Sequence, residues 1–438
     1  MPSTWRDIIS GVAVIAFIGK IVMALRTFGT NDVYAWRRFA DGARAFGGGL
    51  YAVAGDFNHP PSMLHVLPLI GSLSDASGIP FPFWIRLPAI VADVGILWLV
   101  WRILGVRVAE RSIGWAVLFL AAAPPLILIS GFHGNTDSVM IFFILLAIHL
   151  LERGPRRWMA GAAFGLALSV KVVPVILIPL FLFYPKSFRK ALEFFAGTVG
   201  VIAVFWSPFL WMEPVLIARK VFGYGSLFGI WGISSLIDSG TAAEWSSLVQ
   251  RAATFSLIAL IACGSWWMNR SKQAPSLFSQ AGLVFFAFLA LTTGFGIQYL
   301  AWLTPWVVEL GALPTAVLYA TSGVFLLVVY NYWSLGFPWY VADSNIVGSW
   351  AGHLDFLQLL CWLTVVFVFA VAWKRARTGS IPEFALPFDM PYLNRRAAGS
   401  VAVALILLGL FVWGFEKDKD SIPWVNPAVG LHAQTSPF

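Results

Sequence analysis

Residues 30–61 read TNDVYAWRRFADGARAFGGGLYAVAGDFNHPP and form a long polar run that follows an apolar segment. In its first half, apolar residues recur at helical spacing on one side, and mostly charged residues occupy the other. The apolar side holds Val33, Trp36, Phe39, Ala40 and Ala43, and the charged side holds Arg37, Arg38, Asp41 and Arg44. This pattern predicts an amphipathic helix in a membrane interface, with its basic face toward water or headgroups. The glycines at 47–49 end the helix, and residues 51–61 lead the chain back to the membrane.

The overall composition is that of a membrane protein. Hydrophobic residues make up 59% of the 438 residues and charged residues 11%, which excludes a soluble globule and a disordered chain. The net charge of +8 does not indicate nucleic-acid binding, because Lys and Arg occur in short clusters between apolar segments. Cys263 and Cys361 both lie in apolar segments, so they offer neither a disulfide framework nor a CxxC metal site. Motifs for nucleotide or catalytic zinc binding are missing from the sequence.

Ten apolar segments and several shorter ones predict an all-α polytopic transmembrane bundle of about 11–13 helices, some of them short or broken. The long segments are 8–25, 83–104, 113–130, 138–151, 191–210, 247–267, 279–297, 313–332, 354–373 and 397–415. The first is expected to be an uncleaved transmembrane helix. Basic clusters near 102–111, 153–157, 186–190, 270–272, 374–377 and 395–396 are expected to be cytoplasmic.

That orientation makes the intervening loops external: 26–82, 131–137, 211–246, 296–300 and 333–353. Residues 1–415 then form a single transmembrane domain, and 416–438 form an external tail. The proline-rich linker 378–396 is expected to be irregular and cytoplasmic.

Lys171 marks a segment that is too short to cross the membrane twice. Only about thirty residues separate two cytoplasmic clusters here, and two helices of about fourteen residues each reach about 21 Å, short of a core of about 30 Å. Residues 158–170 and 173–184 are therefore expected to form a hairpin with Lys171 at its tip. Residues 301–310 are expected to form a second short element. Broken helices at membrane depth line a protein cavity or water, so a pocket open to the external side is predicted.

Asp32 is the leading candidate for catalysis. A carboxylate at the membrane surface can act as a general base on an acceptor hydroxyl. Asp is also common at helix N-termini, where the helix dipole stabilises its anion, and the two roles are compatible. The nearby Asn58 and His59 add polar groups at the far end of the same loop.

A second polar cluster, GFHGNTDS at 131–138, separates two apolar segments. A loop with a helix cap is the simple explanation, but a tight turn needs fewer polar groups than this one contains. His133, Asn135 and Asp137 are therefore candidates for binding a sugar or an acceptor. Gln298 and Tyr299 are further candidates, with an aromatic interface belt as the alternative for that segment.

Lys171 is the leading candidate for a phosphate ligand, because a cation within the membrane is a functional-site hypothesis by default. Its ammonium could stabilise negative charge on a departing phosphate, whereas extension of the side chain to the interface is the simpler explanation. Arg219 and Lys220 are weaker candidates for the same role, with binding to the lipid surface as the alternative.

Taken together, these motifs resemble the GT-C superfamily of integral membrane glycosyltransferases that use polyprenyl-phosphate sugars. The resemblance is carried by Asp32 with the surface helix and its FNHPP ending, by HGNTDS at 133–138, by GAAFGLALSVKVVP at 161–174, and by QYLAWLTP at 298–305. It implies that Asp32 is the catalytic base on the external side and that basic groups near the broken helices hold the donor phosphate.

The resemblance also implies a hexosyltransferase that inverts the anomeric carbon, with mannose favoured and a glycolipid or glycan as the acceptor. No cofactor is expected, metal binding is not expected, and nucleic acid is not a partner. The expected location is a bacterial cytoplasmic membrane, with the site on the periplasmic or external side. The alternative is a transporter or flippase for a lipid-linked sugar or another anion, which would share the cavity and Lys171 but would not require Asp32 on an interfacial helix. A non-catalytic membrane subunit is a further alternative.

Overall fold

The structure, a computed structural model, describes residues 3–223, 227–236, 246–270, 274–347 and 352–378. This part of the chain is an all-α bundle with two short strand pairs. The helices of its first half are α1 (Ser3–Arg26), α2 (Asn31–Phe46), α3 (Leu50–Val53), α4 (Met63–Ser77), α5 (Phe81–Leu104), α6 (Glu110–Ala121), α7 (Pro124–Leu128), α8 (Asp137–Arg153), α9 (Arg157–Val170), α10 (Ile178–Phe183), α11 (Phe188–Leu210) and α12 (Pro214–Phe222). Those of the second half are α13 (Ser246–Arg270), α14 (Leu277–Leu291), α15 (Thr304–Val307), α16 (Ala312–Trp333), α17 (Ser344–Val347) and α18 (Gly352–Thr378).

Seven helical segments in the described residues are long and apolar enough to cross a membrane, so the chain is an integral membrane protein. They are Asp7–Arg26, Phe81–Leu104, Glu110–His133, Phe188–Leu210, Ala252–Arg270, Ala312–Trp333 and Leu354–Thr378. These confirm seven of the predicted spans. The predicted span near 138–151 is helical as α8. The one near 279–297 is helical only as far as Leu291, where α14 ends, and its last residues form a short strand and the start of a 3₁₀ helix. The predicted helix 397–415, the linker from 379 and the tail 416–438 lie outside the described residues.

The predicted hairpin around Lys171 is confirmed. Helix α9 has fourteen residues and ends at Val170, a 3₁₀ turn covers Val173–Leu177, and α10 follows it. The short element predicted at 301–310 is also present, as a 3₁₀ helix (Ile297–Leu303), α15 and a further 3₁₀ turn (Val308–Leu310). Both breaks therefore put irregular backbone inside the bundle.

Helices α9 and α11 pack with their backbones almost in contact. A Cβ atom at Gly161 would lie 1.7 Å from the carbonyl oxygen of Phe194, and one at Gly197 would lie 2.0 Å from that of Trp158. The Thr198 hydroxyl donates to the Gly161 carbonyl at 3.0 Å. Small residues allow such close approach in membranes, where association of helices depends on van der Waals packing and hydrogen bonds.

The amphipathic face of α2 is buried as the periodicity predicts. The buried residues of the helix are Val33, Trp36, Phe39, Ala40 and Ala43. They pack in one core cluster with residues of α4, a helix that was not predicted within the first external loop.

The charged face of α2 differs from the expectation of a basic surface for lipid headgroups. Arg37 and Arg44 pair with Asp75 of α4, at 3.4 and 2.7 Å, and Arg38 pairs with Asp56. Arg37 also pairs with Asp41 within the helix. Because acidic groups neutralise this face, a headgroup-binding role has no support from the geometry.

Loops predicted to be external meet at one end of the bundle, together with the last residues of the predicted span 279–297. Strand β1 (Gly29–Thr30) pairs in parallel with β4 (Val341–Ala342), and β2 (Leu227–Phe228) pairs antiparallel with β3 (Gly294–Phe295).

Members of the predicted cytoplasmic clusters are held at the opposite helix ends. The Arg107 guanidinium pairs with Glu152 at 2.6 Å, and Glu152 also accepts from the Leu277 amide at 3.1 Å. The Arg375 guanidinium donates to the Glu309 carbonyl at 3.3 Å. The two ends of the bundle are therefore chemically distinct.

The α9–α11 contact can be tested with two glycines of α11. We expect Gly197→Ala to destabilise the protein by about 1–3 kcal/mol, because the added methyl group overlaps the backbone of α9. Gly200→Ala is the matched control, since a Cβ atom there meets nothing within 4 Å. Thermal unfolding of the purified protein in detergent measures both, and equal stability of the two variants would contradict the close contact.

Candidate active site

A cavity of about 280 Å³ lies at the end of the bundle where the predicted external loops meet. Its walls come from α2, the 56–60 loop, the break after α9, the 3₁₀ helix Ile297–Leu303 and one residue of α12. Among the residues predicted from sequence, the lining includes Asp32, Asn58, His59, Asn135, Lys171, Gln298 and Tyr299. Segments separated by more than 250 residues thus share one cavity.

Asp32 lies in the first turn of α2, where the Thr30 hydroxyl caps the helix by accepting the Asp32 amide at 3.3 Å. Its carboxylate oxygen Oδ2 accepts from Asn135 Nδ2 at 2.9 Å and contacts His133 Nε2 at 3.1 Å. The side chain remains 34% exposed, toward the cavity. Because both hydrogen bonds end on Oδ2, the other oxygen is the one available to a substrate.

The turn that carries His133 and Asn135 is a π-helical segment, Ile129–His133, which Gly134 ends in the left-handed region at φ 83°. A side chain at Gly134 would also overlap Val33 of α2. Single π turns are often found at functional sites. The Thr30 hydroxyl donates to the His133 carbonyl at 2.8 Å, which joins this turn to the start of α2.

Arg86 of α5 is fully buried and forms a hydrogen bond to the same turn. Its guanidinium donates to the Gly131 carbonyl at 3.2 Å, to the Thr27 hydroxyl at 2.9 Å, and to the carbonyl groups of Thr27, Phe28 and Met23. It thereby satisfies backbone groups between the end of α1 and the site. Sequence reasoning missed Arg86, although a cation inside an apolar segment is the signal that identified Lys171.

Electrostatics favour the ionised form of Asp32. Burial alone would raise the pKa of its carboxyl, but the charge and hydrogen bond of His133, with Lys171 and His59, hold it below the ordinary value of 3.8. Burial, and then the charge of Lys171, lower the pKa of His59 to about 3. At neutral pH the site therefore offers a carboxylate on Asp32 and an uncharged imidazole on His59.

Lys171 enters the cavity already paired. Its ammonium donates to Asp137 Oδ1 at 2.7 Å, and the same oxygen accepts from the indole N–H of Trp302. Asp137 is fully buried, and the Lys171 side chain is 12% exposed. The pairing compensates a cation at membrane depth while leaving part of it open to the cavity.

The remaining candidates do not line the cavity. His133 and Asp137 lie behind the cavity wall, where they hold Asp32 and Lys171. Arg219 and Lys220 are not among the cavity-lining residues: Arg219 is exposed on α12, and Lys220 donates to the carbonyl oxygens of Ala54 and Gly55. Their predicted role in phosphate binding has no geometric support.

Aromatic partners of the site were also missed. The His59 ring packs at a tilt against Trp36 with centroids 4.2 Å apart, and Tyr299 stacks against Trp302 at 4.1 Å. Tyr330 contacts His133 Nδ1 through its hydroxyl at 3.0 Å. Nothing in the sequence pattern links Trp36 to His59, or Tyr330 to His133. Within the described residues, no group of three or more His, Cys, Asp or Glu side chains could hold a metal ion, and metal independence stays a prediction.

A family model described as dolichyl-phosphate-mannose-protein mannosyltransferase matches residues 58–211, about a third of the chain. These residues carry a GT-C superfamily domain. The match confirms the resemblance drawn from the motifs over this part of the chain, and it supports a glycosyltransferase of the GT-C type. The matched segment includes His59, Asn135 and Lys171 but begins after Asp32. A search of curated proteins found no match.

The Lys171–Asp137 pair can be tested by thermal unfolding. Asp137→Leu leaves the Lys171 ammonium without its anion, and we expect it to cost on the order of 3 kcal/mol. The double variant Asp137→Leu/Lys171→Met removes both charges and should recover much of that loss. Glu193→Gln is the control, because it breaks the exposed Arg189–Glu193 pair and should change stability by less than about 0.5 kcal/mol. A double variant no more stable than Asp137→Leu would argue against the pairing.

Proposed function

We propose that this protein transfers a sugar, with mannose favoured, from a polyprenyl-phosphate donor to an acceptor hydroxyl at the external membrane face. The observation that carries the proposal is that Asp32 and Lys171 line one cavity, so that a carboxylate and an ammonium can act on a single bound substrate. The acceptor is a glycolipid or another glycan.

Asp32 is the proposed general base. Its Oδ2 atom is held by His133 and Asn135, so Oδ1 takes the proton of the acceptor hydroxyl. The acceptor oxygen then attacks the anomeric carbon from the face opposite the phosphate, which inverts the configuration at that carbon. The lowered pKa of Asp32 means that the base is ionised at neutral pH.

Lys171 is the proposed partner of the phosphate. As the bond between the anomeric carbon and the phosphate oxygen breaks, the bonding electron pair leaves with polyprenyl phosphate. The Lys171 ammonium stabilises this charge, and Asp137 keeps the ammonium in place. A phosphate is an acceptable leaving group, so a general acid is not required.

The other walls of the cavity suit the rest of the donor. Uncharged polar side chains at Asn31, Asn58, His59, Asn135 and Gln298 provide donors and acceptors for sugar hydroxyls. An apolar side formed by Ala35, Val172, Val173 and Val221 suits the first isoprene units of the lipid. Most of the cavity charge is internally compensated, since Asp56 pairs with Arg38 and Lys171 with Asp137.

Membrane orientation follows from the distribution of basic residues. The clusters near 102–111, 153–157 and 374–377 lie at the end of the bundle opposite the cavity, and such clusters favour the cytoplasmic side. The proposed site therefore faces the outside of a bacterial cytoplasmic membrane, where a lipid-linked donor can reach it from within the bilayer.

The decisive experiment replaces Asp32. We expect Asp32→Asn to lower the rate of sugar transfer roughly a hundred- to ten-thousandfold, the usual contribution of a general base. The asparagine keeps an oxygen for His133 and Asn135, so the fold should persist. Asp41→Asn is the matched control on the same helix, because it weakens only the exposed pairs of Asp41 with Arg37 and Arg44.

The measurement is release of polyprenyl phosphate from polyprenyl-phosphate mannose, glucose, galactose and arabinose, by purified full-length protein supplied with membrane glycolipids. Consumption of one donor, lost in Asp32→Asn and kept in Asp41→Asn, supports the proposal and identifies the sugar. Transfer at the wild-type rate by Asp32→Asn would refute the role of the base. Movement of intact donor across vesicles without its consumption would instead identify a transporter.

A further inference from the structure

We propose that Tyr330 is a positioning residue for Asp32, which it orients through the imidazole of His133. Tyr330 lies in α16, is fully buried, and has its hydroxyl 3.0 Å from His133 Nδ1. The other ring nitrogen of His133 lies 3.1 Å from Asp32 Oδ2. The role in catalysis rests on the proposed function, whereas the hydrogen-bonded chain itself does not.

The protons of this chain follow from the chemistry of its ends. The ionised carboxylate of Asp32 can only accept, so His133 Nε2 must carry a hydrogen atom. In a neutral imidazole the second nitrogen is then an acceptor, and the Tyr330 hydroxyl donates to it. If the ring is protonated, both nitrogens donate and the phenol oxygen accepts. In either state Tyr330 matches Nδ1, and an N–H group faces Asp32.

Removal of the hydroxyl would leave His133 Nδ1 without this partner and would allow the imidazole ring to turn. The N–H group of Nε2 would then no longer be held toward Asp32 Oδ2, and the hydrogen bond that lowers the pKa of Asp32 would weaken. Tyr330 therefore holds the ring in the orientation that keeps the base ionised.

Packing keeps Tyr330 from following any movement of His133. Its ring contacts Phe132 with centroids 5.1 Å apart and Trp339 at 5.7 Å, and these two rings are 5.3 Å from each other. Just beyond them, the pairing of β4 with β1 fixes the chain beside the start of α2. The Tyr330 hydroxyl is thus held by packing against the residue before His133 and against Trp339.

Other charged and titratable groups also face Asp32. His59 and Lys171 act on its charge from the 56–60 loop and from the break after α9, and the Arg38–Asp56 pair lies at the same cavity. Asp137 lies behind Lys171. Tyr330→Phe leaves all of these groups in place, so a change in the ionisation of Asp32 in this variant reports on His133.

Tyr319 supplies a matched control on the same helix. It is also buried, and its hydroxyl donates to the Thr304 carbonyl at 2.8 Å instead of to His133. Tyr319→Phe and Tyr330→Phe each remove one hydroxyl with one hydrogen bond. A purely structural effect should therefore be similar in both, whereas a positioning effect should appear only in Tyr330→Phe.

The first measurement is nitrogen NMR of full-length protein with ¹⁵N-labelled histidine in detergent. His133→Gln identifies the His133 signals. We expect the His133 signals of Tyr319→Phe to match those of wild type, and those of Tyr330→Phe to shift, because Nδ1 loses its partner and the N–H group of Nε2 is no longer held toward Asp32. An unchanged His133 signal in Tyr330→Phe would overturn the proposal.

The second measurement is the pH dependence of kcat/KM for the donor that the protein consumes. In wild type the acid limb should lie below 3.8, because activity is lost as pH falls through the lowered pKa of Asp32. In Tyr330→Phe we expect this limb to move up by roughly one pH unit, and kcat/KM at neutral pH to fall about tenfold. Tyr319→Phe should retain the wild-type profile.

A double variant tests whether Tyr330 shifts the acid limb through the imidazole of His133. Once His133→Gln has removed the imidazole, Tyr330→Phe should cause no additional shift of the acid limb, and an additional shift would overturn the proposal. If no tested sugar donor is consumed, the proposed function fails, but the NMR comparison still decides whether Tyr330 holds the imidazole of His133 against Asp32.

Discussion

The candidate site depends on satisfying the hydrogen bonds of irregular backbone inside an apolar bundle. Regular helices satisfy their own amides and carbonyls, whereas the end of α1 and the π turn before α8 do not. Arg86 supplies donors to five groups in these two segments. This single guanidinium allows the chain to leave helical geometry beside Asp32, and the placement of His133 and Asn135 follows from it.

Compensation of buried charge is the second constraint. Next to the π turn, Lys20 of α1 pairs with Asp93 of α5, and the hydroxyl of Ser130, a residue of that turn, donates to the same carboxylate at 2.5 Å. Lys171 is matched by Asp137 in the same way. Asp32 differs, because its partners are two polar side chains and its carboxylate stays partly open. The charge of Asp32 is thus stabilised without a paired Lys or Arg and stays accessible, which is the property a general base needs.

Much of the architecture was predictable because it follows from local pattern. Helical periodicity identified the buried face of α2, and segment length against bilayer thickness identified the break at Lys171. Helix α4 was missed because it lies in a segment that positive charge alone assigned to an external loop, and charge asymmetry carries no information on secondary structure there.

The candidate site was predicted in part for a related reason. Asp32 and Lys171 are chemically conspicuous at their positions, so each could be found without knowing its neighbours. Their partners could not: Asp137 is 34 positions from Lys171, and Tyr330 is 197 positions from His133. Spacing cannot reveal such pairs. Arg219 and Lys220 were chosen for charge alone, and tertiary packing directs Lys220 to nearby carbonyl groups instead.

The pairing of β1 with β4 has a consequence for biosynthesis. The carbonyl of Tyr340 accepts hydrogen bonds from the amides of Phe28 and Gly29. Strand β1, which lies within the first thirty residues, can therefore pair only after the ribosome has synthesised β4, some three hundred residues later. Chains are synthesised from the N-terminus, and early segments insert first. The nascent polypeptide therefore acquires Asp32 early, but the surrounding scaffold is complete only after the sixth of the seven helical segments in the described residues that are long enough to cross a membrane has been synthesised.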